Sequence, residues 1–136
     1  MNKLDIIKQI SEREYIIFSI FKCQDSMDIM DEQESQIYKQ ISFENFIDNT
    51  TFEDVYLLKI SINLLNAIYK NQIKLFYEDK DELICAMEDF VKNNNNEFSL
   101  SFENTTFTIK INKNILNICF KNDSMNSENH YQLNNF

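Results

Sequence analysis

Polar and apolar residues alternate most regularly in the C-terminal part of this 136-residue chain. The segment EFSLSFENTTFTIKINKNILNICF (residues 97–120) has an apolar side chain at every second position in three successive runs. The three runs are Phe98, Leu100 and Phe102; Phe107, Ile109 and Ile111; and Leu116, Ile118 and Phe120. A period of two predicts strands with one buried face. We therefore expect an antiparallel meander whose other face, with Ser99 and Thr108, meets water.

A helix is predicted near residues 80–92, before this meander. Its apolar residues recur with helical spacing and form one stripe, made of Leu83, Ile84, Met87, Phe90 and Val91. Asp79 and Glu82 have the spacing of a capping box, which predicts the start of the helix. Asn93–Asn96 follow the last apolar residue and favour a left-handed C-terminal cap. We expect the helix to pack across the meander.

The N-terminal half of the chain is harder to interpret. In residues 3–10, Leu4, Ile7 and Ile10 predict a short amphipathic helix. A continuous β-branched and aromatic run at 14–22 indicates a buried strand. The remaining segments are an acidic loop or partly helical excursion at 23–36, a strand at 37–47, and a strand pair at 54–65 and 68–77. The first strand of that pair also admits a helical reading.

These elements predict an α+β fold. It consists mainly of antiparallel sheet, with about six or seven strands, the short N-terminal helix, and the capped helix near 80–92 packed on the C-terminal meander. We expect one globular domain over residues 1–121. Residues 122–136 show little periodicity and predict a loosely ordered tail, so truncation after Asp123 should leave the fold intact.

The chain contains neither glycine nor proline. Asparagine tolerates a positive φ better than other non-glycine residues, so Asn104-Thr105 and Lys113-Asn114 are the expected hairpin turns. Phosphate-binding loops need glycine for close backbone approach, which excludes the P-loop and G-x-G-x-x-G motifs. The G-x-S-x-G elbow is excluded as well. The sequence thus argues against the common kinds of nucleotide-dependent chemistry.

Composition and cysteine spacing indicate the compartment. Frequent Ile, Asn, Lys, Phe and Tyr are typical of an AT-rich genome, so the Asn runs point to no function. The widely spaced Cys23, Cys85 and Cys119 predict buried free thiols rather than disulfides. No signal peptide opens the chain and no apolar run approaches eighteen residues. We expect a cytoplasmic protein.

Catalytic and metal-binding signals are weak. His130 is the single histidine and lies in the predicted tail, where it makes a poor partner for a nucleophile. The acidic stretch at 25–34 lacks the central glycine and alternate ligands of a calcium loop. We predict that the protein is not an enzyme and that it needs no metal or cofactor.

Charge gives the strongest functional signal. A net charge of −9 and a pI of about 4.5 argue against direct binding to nucleic acid or to an anionic membrane. Residues 23–38 and 40–58 form two acidic tracts that contain no lysine or arginine and are separated by Lys39. Aromatic residues lie within or beside these tracts. The predicted partner-binding residues are Asp25, Asp28, Asp31, Glu32, Glu34, Glu44, Asp48, Glu53 and Asp54, with Tyr38, Phe43, Phe46 and Phe52 as anchors. The competing interpretation is that these acids only keep the protein soluble.

Three classes of function fit this picture. The layout over residues 54–121 is similar in a general way to some immunity proteins of bacterial polymorphic-toxin systems, although no motif ties it to one family. That resemblance implies an inhibitor that covers the active or substrate-binding surface of a basic, nuclease-like toxin. The alternatives are a phage or mobile-element anti-defence protein that mimics DNA, and a homodimeric chaperone of a secreted effector. The sequence does not determine the oligomeric state.

Overall fold

The computed structural model describes residues 2–23, 36–37 and 55–133 of the chain. The strands are β1 (Asn2–Gln9), β2 (Tyr15–Cys23), β3 (Gln36–Ile37), β4 (Val55–Asn63), β5 (Ile68–Phe76), β6 (Glu97–Phe102), β7 (Thr105–Asn112), β8 (Ile115–Lys121) and β9 (Asn126–Gln132). A 3₁₀ turn (Tyr77–Asp79), the helix α1 (Lys80–Met87) and a π-helical turn (Glu88–Lys92) join β5 to β6.

The first sheet has the strand order β3-β1-β2-β4-β5. Its pairs are antiparallel except for the short parallel contact between β3 and β1. The register aligns apolar side chains across four strands, for example Leu4, Ile20, Leu58 and Ile73. All four are buried, so this face of the sheet belongs to the core.

The predicted N-terminal helix at 3–10 is wrong, because this segment forms β1. Its side chains alternate, with Leu4 and Lys8 buried and Ile7 56% exposed. The buried Lys8 interrupts the apolar alternation, which is why the segment resembles a helix in sequence. Pairing with the whole of β2 supplies the hydrogen bonds that a helix would otherwise make within itself.

The second sheet has the order β6-β7-β8-β9 and is antiparallel throughout. The predicted meander is confirmed in β6, β7 and β8, with the expected residues facing the core. The expectation of a loose tail from residue 122 is wrong for 126–132, which forms β9 against β8. Leu133 then enters the core at 3% exposure, and its N–H donates to the carbonyl of Asn114 at 2.7 Å.

The two sheets and the helix share one apolar core. Phe18 of β2 lies 5.0 Å from Phe98 of β6, measured between ring centroids. Phe90 contacts both rings, at 6.0 Å from Phe18 in an edge-on arrangement and at 5.8 Å from Phe98. Each such aromatic pair adds about 0.5–1.5 kcal/mol beyond the burial of its surface.

The helix packs as expected but begins differently from the prediction. Leu83, Met87 and Phe90 of the apolar stripe are buried, and α1 contacts β6. The capping box does not form, because the Asp79 side chain makes no bond within the helix. Its carboxylate instead accepts a hydrogen bond from the N–H of Phe76 at 3.0 Å, which ties the helix start to the end of β5.

Three non-glycine residues in the described ranges turn the chain with a positive φ: Asn94 at 54°, Glu103 at 50° and Lys113 at 57°. Asn94 follows the π-helical turn, as expected for a left-handed cap. In the hairpins, however, Glu103 and Lys113 adopt this conformation rather than the neighbouring asparagines. The chain therefore accepts some backbone strain at both turns, since αL costs a residue with a Cβ atom.

The coarse prediction of an α+β fold with mostly antiparallel sheet is confirmed. Its details differ in two ways within the described residues. There are nine strands, one only two residues long, instead of six or seven. The single helix is α-helical only to Met87 and continues as a π-helical turn. The predicted strand pair at 54–65 and 68–77, in contrast, agrees with the structure and forms as β4 and β5, joined by the turn between Asn63 and Ile68.

We predict that Phe90→Ala lowers the free energy of unfolding by about 3–5 kcal/mol, because the ring joins both sheets and leaves a cavity when removed. Chemical denaturation followed by far-ultraviolet circular dichroism measures this loss. Met125→Ala is the matched control, since Met125 is 55% exposed and should change stability by about 0.5 kcal/mol or less. An unchanged denaturation midpoint in Phe90→Ala would contradict the packing described.

Residues 124–136 should also be required for stability. Leu133→Ala should cost about 2–5 kcal/mol, since its side chain is buried, and truncation after Asp123 should cost more because β8 loses its partner strand. Gln132→Ala, an exposed neighbour, serves as the control. A truncated chain that melts at the temperature of the full chain would show that β9 contributes nothing.

Candidate functional site

An open groove of about 670 Å³ lies between α1 and the second sheet. One wall is a helix face with Glu82, Cys85 and Asp89, and the opposite wall is the outer face of β6 and β7. Glu97 and Lys110 belong to this second wall. The groove follows the edge of the sheet because β6 is its first strand.

The helix presents this face as a consequence of its core packing. Leu83, Met87 and Phe90 point inward, so the stripe at positions 82, 85 and 89 points outward with spacings of three and four residues. Glu82, Cys85 and Asp89 are all exposed. The same stretch from residue 77 to residue 92 carries six acidic residues against two lysines. The outer side of the helix is therefore strongly acidic.

The polar contacts in the groove leave it negatively charged. Lys110 forms an ion pair with Glu97 at 3.3 Å, and both side chains are at least half exposed. Such an exposed pair contributes little to stability. Glu82 accepts a long hydrogen bond of 3.4 Å from the N–H of Ser101. Among the described residues, three carboxylates and one lysine thus line the groove.

The main chain of β6 adds hydrogen-bonding groups along this edge. The N–H of Ile111 donates to the carbonyl of Asn96, which makes 96/111 a hydrogen-bonded pair of the ladder. In an antiparallel register such pairs recur at every second residue, so those of Phe98 and Leu100 also bond to β7. The main-chain groups of Glu97, Ser99 and Ser101 consequently point to the outer edge, toward the groove.

Lys8 determines where the far end of the helix lies. Its side chain is 6% exposed and its ammonium donates to the Phe90 carbonyl at 2.6 Å. It also donates to Asn94 Oδ1 at 2.7 Å and lies 4.6 Å from the centre of the Phe90 ring. Burial lowers the pKa of Lys8 below its ordinary value of 10.5. A cation at the C-terminal end of a helix interacts favourably with the helix dipole.

His130 lies in β9 rather than in a tail. Its Nδ1 contacts Asn117 Oδ1 on β8, and its Nε2 lies 3.4 Å from Glu128 Oε1. Cys119 shares this outer face, directly opposite Glu128 in the register. Because both ring nitrogens of His130 face other oxygens, the imidazole is not placed to accept a proton from the Cys119 thiol. The arrangement therefore gives no Cys–His pair.

The described part of the chain contains neither a metal-binding cluster nor a membrane-spanning helix. No group of three or more His, Cys, Asp and Glu side chains there could hold a metal ion. No helix among those residues is long and apolar enough to cross a membrane.

The partner-binding residues predicted from sequence all lie outside the described residues, at positions 25–34, 38 and 43–54. They stay a prediction. The groove carboxylates are not among them, and the sequence assigns Glu82 to a capping box at the start of the helix. The i, i+3, i+7 spacing of Glu82, Cys85 and Asp89, opposite the apolar stripe, was a usable signal. The contribution of Glu97 was not predictable, since it depends on how the helix packs.

Comparison with known proteins gives no match: no protein family, no curated protein and no solved structure resembles this chain significantly. The function must therefore be argued from the geometry and charge of the molecule.

We predict that Lys8→Met lowers the free energy of unfolding by about 1–3 kcal/mol, because the buried Phe90 carbonyl loses a hydrogen-bond donor. Lys92→Met is the matched control, since Lys92 is an exposed cation at the same end of the helix. Its loss should cost about 0.5 kcal/mol or less. Equal effects of the two substitutions would show that Lys8 acts only through its charge.

The stability difference between the parent chain and Lys8→Met should also depend on pH. The folded pKa of Lys8 lies below 10.5, so between these two values the unfolded chain holds the proton more tightly. The contribution of Lys8 to stability therefore rises as pH increases through this window. Chemical denaturation of both chains at pH 7 and at pH 10 measures this contribution. The loss of unfolding free energy in Lys8→Met should be larger at pH 10, and a smaller loss at pH 10 would contradict the prediction.

Proposed function

We propose that this protein is a small, acidic, cytoplasmic inhibitor that binds a basic protein partner. The partner is most simply a nuclease-like toxin, and the inhibitor covers its active or substrate-binding surface in the manner of an immunity protein. It acts by binding and has no catalysis of its own. The free thiols of Cys85 and Cys119 are consistent with a reducing compartment.

The observation that carries this proposal is the acidic outer side of the helix with the groove beside it. Glu82, Asp89 and Glu97 line a concave surface where, among the described residues, Lys110 alone offers a positive charge. Concave surfaces lined by one sign of charge attract partners of the opposite sign and raise the rate of encounter. The net charge of −9 acts in the same direction over the whole molecule. A nucleic acid would be repelled, whereas a protein that binds nucleic acid would be attracted.

The proposal also assigns partner binding to the acidic tracts predicted from sequence, which lie outside the described residues. The five acids from Asp25 to Glu34 would steer the partner. Tyr38, Phe43, Phe46 and Phe52 would supply the apolar anchors that determine the lifetime of the complex. A DNA-mimicking anti-defence protein would use the same charges against a different partner. The genes on either side decide between the two, since a toxin gene favours immunity and a prophage cluster favours anti-defence.

Stopped-flow association with the basic product of the neighbouring toxin gene tests the proposal. Replacing Asp25, Asp28, Asp31, Glu32 and Glu34 by Asn or Gln should slow association roughly tenfold at low salt, because exposed charges mainly set the on-rate. Truncating Phe46 should instead raise the dissociation rate. Both variants should unfold at the denaturant concentration of the parent chain.

The salt series is the control for this experiment. The Debye length shrinks from about 10 Å at 0.1 M to about 3 Å at 1 M, so the two association rates should converge at high salt. If neutralising the five acids changes neither the rate nor its salt dependence, that tract is not the binding surface. If no basic partner associates even at low salt, the proposed function itself is wrong.

A further inference from the structure

We propose that the outer edge of β6 binds an extended basic segment of a protein partner, which pairs with this edge as an added strand and lies in the groove beside α1. The inference rests on the proposed function, which it deepens by naming the part of the partner that is bound. Binding by strand addition takes its affinity from main-chain hydrogen bonds and its selectivity from side-chain contacts. Both requirements can be examined in the described residues.

The main-chain requirement is met by Glu97 and Ser99. Their N–H and C=O groups point away from β7, and both residues are exposed. Ser101 has the same orientation, but its N–H already donates to Glu82. An incoming strand would therefore pair along the first half of β6, where the groove lies.

The β5 edge of the first sheet is less suited than the β6 edge to the addition of a basic strand. On β5, the N–H of Gln72 donates to Asn71 Oδ1 at 2.8 Å and the N–H of Phe76 to Asp79 Oδ2 at 3.0 Å. Lys70 and Lys74 project beside the same edge, and lysines at an edge oppose the addition of a strand. They would also repel a basic segment.

Strand β9 ends the second sheet on its other side but has little charge to select a partner. Its single carboxylate, Glu128, lies 3.4 Å from His130. The β6 edge, in contrast, has three carboxylates near it and one lysine, which is paired with Glu97. Charge complementarity thus favours a lysine- or arginine-rich segment at β6.

The dimensions of the groove suit a short segment. Glu82 and Asp89 are seven residues apart, which is about 10 Å along a helix at 1.5 Å per residue. That distance corresponds to about three residues of extended strand. A segment of four to six residues with two basic side chains, following the groove, would pass both carboxylates.

Fluorescence anisotropy with the full-length protein tests the inference. The probe is a fluorescein-labelled ten-residue peptide of alternating lysine and threonine, and a peptide of alternating glutamate and threonine is the negative control. Neutralising the groove with Glu82→Gln and Asp89→Asn should weaken binding of the lysine peptide at least fivefold. The matched pair Glu78→Gln and Asp81→Asn removes the same charge from two exposed positions outside the groove, one in the 3₁₀ turn and one in α1, and should weaken binding less than twofold. Equal weakening by both pairs, or no binding of the lysine peptide, would overturn the inference.

A second experiment distinguishes binding by strand addition from binding by charge attraction alone, and it changes the peptide but not the protein. Two further lysine–threonine peptides carry N-methyl groups on complementary alternate residues. A paired strand directs alternate N–H groups to its neighbour, so one of the two peptides should bind at least tenfold more weakly than the other. Equal affinities of the two methylated peptides would show that no strand is added.

Cys85 reports where the peptide binds. It lines the groove, whereas Cys119 lies on β8 away from it. Saturating lysine peptide should slow the alkylation of Cys85 by iodoacetamide at least threefold, measured by mass spectrometry of the digested protein, and leave Cys119 unchanged. Unprotected Cys85 with bound peptide would place the peptide elsewhere and overturn the inference.

Failure here is distinguishable from failure of the proposed function. If the basic toxin binds the parent chain and the Glu82→Gln, Asp89→Asn variant equally well, the function stands and the β6 edge is not its site. In a second outcome, the parent chain and the variant both fail to associate with any basic protein, while the lysine peptide still protects Cys85. The groove is then a binding site, and the proposed partner is wrong.

Discussion

Phe90 attaches the helix to both sheets at once, and the position of the groove depends on this contact. Its ring lies edge-on to Phe18 in the first sheet and packs on Phe98 in the second. Lys8 then binds its carbonyl and lies over its ring, so that β1 holds the helix end from a third direction. Because the helix cannot rotate without breaking these contacts, its opposite face must point outward beside β6. The acidic groove is a direct consequence of the aromatic packing on the other side of the helix.

The π-helical turn at Glu88–Lys92 belongs to the same arrangement. Its closing bond runs from the N–H of Asn93 to the carbonyl of Glu88 at 2.8 Å, five residues back. Such a widened turn shifts the side chains that follow it relative to a regular helix. The Phe90 carbonyl meets the Lys8 ammonium within this turn, and Asn94 reverses the chain in the left-handed conformation. The helix therefore ends where β6 can begin through three features acting together: the buried Lys8, the π-helical turn and the left-handed Asn94.

Sequence analysis predicted correctly those elements in which the spacing of apolar residues matches the burial of the same residues in the fold. The meander alternated cleanly because each strand has one core face and one wet face. Two elements were missed because tertiary contacts override the local pattern. In β1, a buried lysine occupies a core position that any hydrophobicity pattern counts as polar. In β9, the polar segment NSENHYQ becomes a strand through pairing with β8 and the burial of Leu133, which periodicity alone does not reveal. The groove was missed for a related reason, since its two walls come from segments that sequence cannot place side by side.

The charges of the described residues are arranged unevenly, and this bears on how a basic partner would approach. The acidic side chains concentrate on the outer side of the helix and beside β6. The outer face of the first sheet carries Lys59, Lys70 and Lys74, with Asp5 bound to the hydroxyl of Ser19. Under the proposed function, the acidic helix side would attract a positively charged partner, whereas Lys70 and Lys74 beside β5 would repel it. In the proposal, the helix side would therefore meet the partner first, where the open edge of β6 offers main-chain hydrogen bonds that the lysine-bearing edge of β5 withholds. Long-range charge and local backbone geometry thus select the same surface, although they arise from different parts of the sequence.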